Sequence, residues 1–142
     1  MKPTLQSGLE SLVTFTVDRE RTIDFMGEAA RVYATPMLVR DIEIACRNLL
    51  LAHLDAGEDS VGTRVEIDHI GATLLGMAVT LVVRVAEVKG RAVVFEIEGR
   101  DAVEPIVRGR HSRFVVDVAK TGERLAAKAA KAKAAAAGTA AQ

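Results

Sequence analysis

Thr35, Glu43 and His69 are the side chains of this sequence best placed to share chemistry. They fall in one stretch, TPMLVRDIEIACRNLLLAHLDAGEDSVGTRVEIDH, which reads as an apolar helix, a glycine-bearing turn and a strand that ends in the histidine. A carboxylate on a largely apolar helix costs free energy unless it is paired or used. Glu43 is flanked by Ile42, Ile44 and Ala45, with Arg47 four residues on, so an ion pair along the helix and a chemical role are both open to it. His69 falls on the strand face of Val61, Thr63, Val65 and Ile67, the face expected to meet the helix. There it is either a core histidine held by one hydrogen bond or the partner of Glu43 in acid–base work. Thr35 precedes Pro36 and suits a helix N-cap. A hydroxyl at that position also lies where backbone N–H groups and the macrodipole attract an anion.

The remaining titratable groups have weaker claims. His53 falls at the end of the helix, and His111 stands among Arg108, Arg110 and Arg113, where a surface position is expected. Those arginines, with Lys89 and Arg91, form a basic side suited to a phosphate-bearing ligand, although strand edges carry such residues for protection as well. The single cysteine, Cys46, excludes an internal disulfide and a Cys/His metal cluster. A reducing, cytoplasmic setting is therefore expected, with no metal and no cofactor. No nucleophile elbow, phosphate loop or dinucleotide fingerprint is present.

The elements that must position these groups follow from periodicity. The 142 residues suit one domain, and 49% hydrophobic with 27% charged residues is ordinary for a globular one. Residues 12–17 alternate as a strand, 18–31 read as a loop or short helix over a pocket, and 32–34 as a short extended piece. The helix opens at Thr35-Pro36, repeats Leu38, Ile42, Ala45, Leu49 and Ala52, and should end near His53 or Leu54, before a glycine cap at Gly57. Four strands follow over 61–73, 77–88, 92–100 and 106–118, with Lys89-Gly90-Arg91 as a hairpin turn and antiparallel pairing. This order predicts an α+β layer, a long antiparallel sheet around one apolar helix. One helix cannot cover so long a sheet, which favours an oligomer.

Residues 1–118 are read as the domain and 119–142 as an Ala/Lys-rich tail, disordered or a frayed helix. The net charge of zero predicts no nucleic-acid or membrane partner for the chain as a whole. The tail carries Lys120, Arg124, Lys128, Lys131 and Lys133 against Glu123, so a nucleic-acid contact is open only there. The N-terminus has no apolar leader, and no run reaches the roughly 18 apolar residues of a membrane span.

At these residues the sequence resembles the hotdog-fold thioesterases related to fluoroacetyl-CoA thioesterase. The resemblance rests on Ala34-Thr35, on Glu43 eight residues later, on the turn Ser60-Val61-Gly62-Thr63 and on His69 followed by Ala72-Thr73. It implies a hotdog fold, an acyl-CoA substrate and a homodimer with active sites at the interface. Thr35, Glu43 and His69 would then be the catalytic group. Glu43 would attack the carbonyl or activate water, His69 would move protons, and Thr35 would position the acyl group. Gly62, Phe25, Tyr33, Arg108 and Arg110 would contact substrate. Met26 and Ala29 fall near the family's lid phenylalanines, which points to a short- or medium-chain acyl-CoA rather than fluoroacetyl-CoA. The competing expectation is a hotdog module that binds acyl-CoA or another apolar ligand without turning it over.

Overall fold

Apolar residues at every second position make one face of the strands over 78–89 and 92–101, and the main helix packs on that face. In the computed structural model, which describes residues 1–140, the order is β1 (Glu10–Thr16), β2 (Thr22–Ile23), β3 (Val32–Tyr33), α1 (Thr35–Leu51), β4 (Glu58–His69), β5 (Ala78–Lys89), β6 (Ala92–Asp101), β7 (Pro105–Asp117) and α2 (Val118–Ala140). Two short 3₁₀ turns flank β2. Five strands form an antiparallel sheet in the order β1-β5-β6-β7-β4, and β2 pairs with β3 apart from it.

Val79, Leu81, Val83 and Val85 on β5 and Val93, Phe95 and Ile97 on β6 point inward and are buried. They meet Leu38, Ile42, Ala45, Cys46 and Leu50 of α1 in one core. Each large side chain so buried contributes about 1.5–3 kcal/mol. Short connections enforce the antiparallel order. Between Lys89 and Ala92 the chain reverses over two residues, and Gly90 supplies the positive φ (59°) that such a turn needs at its first central position.

Four local expectations are corrected. Thr35 is the first helical residue and Ala34 the N-cap, so the Thr35 hydroxyl makes no capping bond and is free for other use. The helix proper stops at Leu51 and tightens through His53 and Leu54, so Gly57, although its φ is positive, serves the next turn instead of capping α1. His111 is fully buried, not at the surface. On β4, strict alternation fails because the register against β7 shifts between Gly62 and Arg64. That bulge switches the inward parity. Ser60 and Gly62 point inward before it, Val65, Ile67 and His69 after it, opposite the inward Val115, Arg113, His111 and Val107 of β7. Val61 and Thr63, expected inside, face out.

The tail forms the exposed helix α2, and its last positions, Ala141 and Gln142, lie outside the described residues. Among the described residues no helix is long and apolar enough to cross a membrane.

β7 passes β4 so closely at Gly109 that an added Cβ would lie 2.1 Å from the Glu66 carbonyl oxygen and 2.7 Å from Ile67 Cα. Gly109→Ala must move backbone, and a loss of about 2–3 kcal/mol is expected from the urea midpoint. An unchanged midpoint would show that the two strands separate freely.

Candidate active site

Thr35 and His69 meet directly. The start of α1 and the end of β4 place the Thr35 Oγ1 2.8 Å from His69 Nδ1, with one proton shared between them. Burial pushes the His69 imidazole below its ordinary pKa, so the neutral ring dominates at neutral pH. Its Nε2 is buried without a partner among the described residues. The ring borders a pocket of about 270 Å³ lined by Thr35, Tyr33, Ile23, Val32 and Gly71. Tyr33 stands edge-on to His69, ring centroids 6.3 Å apart, and its hydroxyl donates to buried Asp41. Arg21 holds the same carboxylate through Nε at 2.9 Å. Phe25 is exposed, two residues beyond Ile23 of the pocket wall.

Glu43 belongs to a second cluster. The pair with Arg47 does not form, because Arg47 reaches across to Asp59 at 2.9 and 2.6 Å. Glu43 Oε2 instead accepts from Arg113 Nη1 at 3.3 Å. Arg113 is 4% exposed, whereas the Glu43 side chain is 43% exposed. The guanidinium is fixed from below: Nε donates to Ser60 Oγ at 2.7 Å and Nη2 to the Ser60 carbonyl at 2.8 Å. Gly62 lies beneath the carboxylate, and a Cβ there would come within 3.0 Å of Glu43 Oε2 and 3.3 Å of His111 Cε1. Burial drives the neighbouring Cys46 thiol up to about 12, so it stays protonated and inert.

Within one chain the two clusters are separate. Glu43 is eight residues along α1 from Thr35, roughly 12 Å of helix. Gly62 and His69 are seven residues apart on β4, roughly 23 Å of strand. Arg108 and Arg110 join neither cluster. They stand exposed on the opposite face of β7, 3.6 Å from Asp68 and Glu96 respectively. Arg113, His111 and Ser60 are the residues that sequence reasoning missed. The signal was available: Arg113 and His111 share parity with the apolar Val107 and Val115, and Arg108 and Arg110 do not.

A long antiparallel sheet packed on one central helix defines a hotdog-fold protein. The family described as fluoroacetyl-CoA-specific thioesterase (FlK) matches residues 17–119. The chain belongs to that family. It is 29% identical over 127 residues to the fluoroacetyl-CoA thioesterase of Streptantibioticus cattleyicolor, spanning 84% of this chain and 91% of that one. The crystal structure of a mutant of the fluoroacetyl-CoA-specific thioesterase FlK superposes with a TM-score of 0.82 at 28% identity, over 89% of this chain and 99% of that one. A Thermus thermophilus thioesterase superfamily member superposes at 0.85 with 28% identity, over 93% and 98%. A hot-dog-like protein from Thermanaerovibrio acidaminovorans, 24% identical with a TM-score of 0.79 over 89% and 93%, supports the fold alone.

Gly62→Ala tests the close approach of β4 to Glu43. Turnover of CoA thioesters is expected to fall about tenfold through displacement of the carboxylate. The midpoint of thermal unfolding should stay within about 5 °C. Full turnover in this variant would show that the glycine is not needed there.

Proposed function

We propose that the protein is a homodimeric acyl-CoA thioesterase that hydrolyses short- or medium-chain acyl-CoA, with Thr35, Glu43 and His69 as its catalytic residues. The observation that carries this reading is the division of the site into two halves along β4, a twelve-residue strand at the open edge of the sheet. Unpaired strand edges invite a second chain. β4 also exposes Val61 and Val65, apolar side chains without cover. Antiparallel pairing of two β4 strands about a two-fold axis near Val65 and Glu66 brings Gly62 of one subunit opposite the partner subunit's His69. Glu43 then faces the partner's His69 and Thr35, and two equivalent sites result.

In each site Arg113 holds Glu43 Oε2, leaving Oε1 as the working oxygen. It attacks the thioester carbonyl, breaking the C–S bond to release CoA and leaving a mixed anhydride that water then hydrolyses to the free acid, or it takes a proton from a water that attacks the carbonyl directly. In its protonated form His69 hands a proton to the departing CoA sulfur from Nε2, an atom buried without a partner among the described residues, and is left as the neutral ring. Thr35 and the first N–H groups of α1 orient the acyl group and its oxygen. Tyr33 walls the acyl pocket and Phe25 covers it from outside. Arg108 and Arg110, only loosely paired, offer positive charge to the CoA phosphates. The lone buried Cys46 suits a reducing cytoplasm.

Thiol release from acetyl-, fluoroacetyl-, butyryl- and octanoyl-CoA, measured beside Glu43→Gln, tests the reaction. Turnover on the shorter esters and its loss by about 10³-fold in the variant are expected. Undiminished turnover in Glu43→Gln would remove Glu43 from the mechanism. A subunit-mixing experiment tests the shared site. Glu43→Gln and His69→Ala, each inactive alone, are unfolded and refolded together. Each mixed dimer then holds one intact site, so about a quarter of the parent activity should return. No recovery would place both groups within one subunit.

A further inference from the structure

His111 is buried between β4 and α1, touches the site and has no part in the steps above. Its hydrogen bonds define its protonation. Nδ1 lies 2.8 Å from the Arg64 carbonyl oxygen, which can only accept, so Nδ1 carries a proton. Nε2 lies 3.2 Å from Arg113 Nη1, which can only donate, so Nε2 is bare. Only the neutral Nδ1–H tautomer satisfies both contacts. An imidazolium would set N–H against N–H and a second cation against a buried guanidinium.

The carbonyl that selects this tautomer stands at the β4 bulge, where the register shifts between Gly62 and Arg64. The same Arg113 Nη1 that donates to His111 also donates to Glu43 Oε2, at 3.3 Å. The backbone of β4 is thereby connected through His111 and Arg113 to the carboxylate of α1. The charged groups facing the ring are Arg113 from β7 and Glu43 from α1. Phe95, its cross-strand partner on β6, is apolar. Burial, seconded by Arg113, holds the imidazole below its ordinary pKa, which agrees with the neutral form.

We propose that His111 is a positioning residue of the thioesterase: fixed as the Nδ1–H tautomer by the Arg64 carbonyl, it accepts from Arg113 and sets the guanidinium that holds Glu43 Oε2. This rests on the assignment of Glu43 as catalytic. It makes His111 act on turnover through Arg113, without touching substrate.

Two measurements on the whole protein decide it. Long-range ¹H–¹⁵N spectra should show His111 protonated at Nδ1 and bare at Nε2 at pH 7. An Nε2–H tautomer or an imidazolium there overturns the proposal, whether or not any ester is hydrolysed. Steady-state kinetics of His111→Leu and His111→Gln follow. Glutamine can set its amide oxygen where Nε2 stood and keep the acceptor; leucine cannot. In His111→Leu, kcat should fall at least about tenfold with KM within about twofold, and His111→Gln should recover most of kcat at a similar thermal midpoint. Equal impairment of both folded variants, or full kcat in His111→Leu, refutes the positioning role. Absence of turnover in the parent protein would instead count against the catalytic reading, and the tautomer would still decide the arrangement of His111.

Discussion

A guanidinium enclosed beneath α1 constrains this structure more than any other group. Burying a cation costs several kcal/mol unless its donors are satisfied. Arg113 meets that demand with Ser60 on β4, His111 on its own strand and Glu43 on α1. One side chain therefore ties three elements together. The position of the Glu43 carboxylate is a consequence of where β7 crosses β4, as much as of where α1 lies.

The second constraint is the bulge in β4. Seven residues separate Gly62 from His69, and in an unbroken strand an odd separation puts two residues on opposite faces. The register shift lets both face inward. It also sets out the Arg64 carbonyl on which His111 rests. The resulting strand is the edge of the sheet, with apolar side chains left exposed and a cluster of polar side chains near each end. Thr35 and His69 stand at one end of this strand and Glu43 near the other, so the proposed site of Thr35, Glu43 and His69 forms only where a second chain closes the edge.

The wall of the pocket beside His69 depends on a separate buried network. Asp41 accepts from Tyr33 and from Arg21, and Arg21 lies over the Phe15 ring at 4.7 Å. These contacts fasten residues 18–34 to α1 and β1. They hold the Tyr33 ring against His69, while Phe25 and Met26 stand outside in solvent. The pocket wall and the exposed Phe25 thus belong to one continuous stretch of chain.

Local pattern was enough for the element order, for α1 from Thr35 onward, for the four long strands and for the spacing of Thr35, Glu43 and His69. Helical and strand periodicities are properties of neighbouring residues, so they are written in the sequence directly. The inward parity of Arg113 and His111 on β7 was also present in the sequence, but the run of nearby arginines led to the expectation of a surface position, which the structure corrects. The choice of Asp59 as the partner of Arg47, the release of the Thr35 hydroxyl to His69 and the shift of register at Gly62 belong to the tertiary structure alone. Each is decided by how β4 is set against β7 and α1, segments brought together from distant parts of the chain. Such pairings depend on the packing of the whole sheet, which no local stretch of residues encodes.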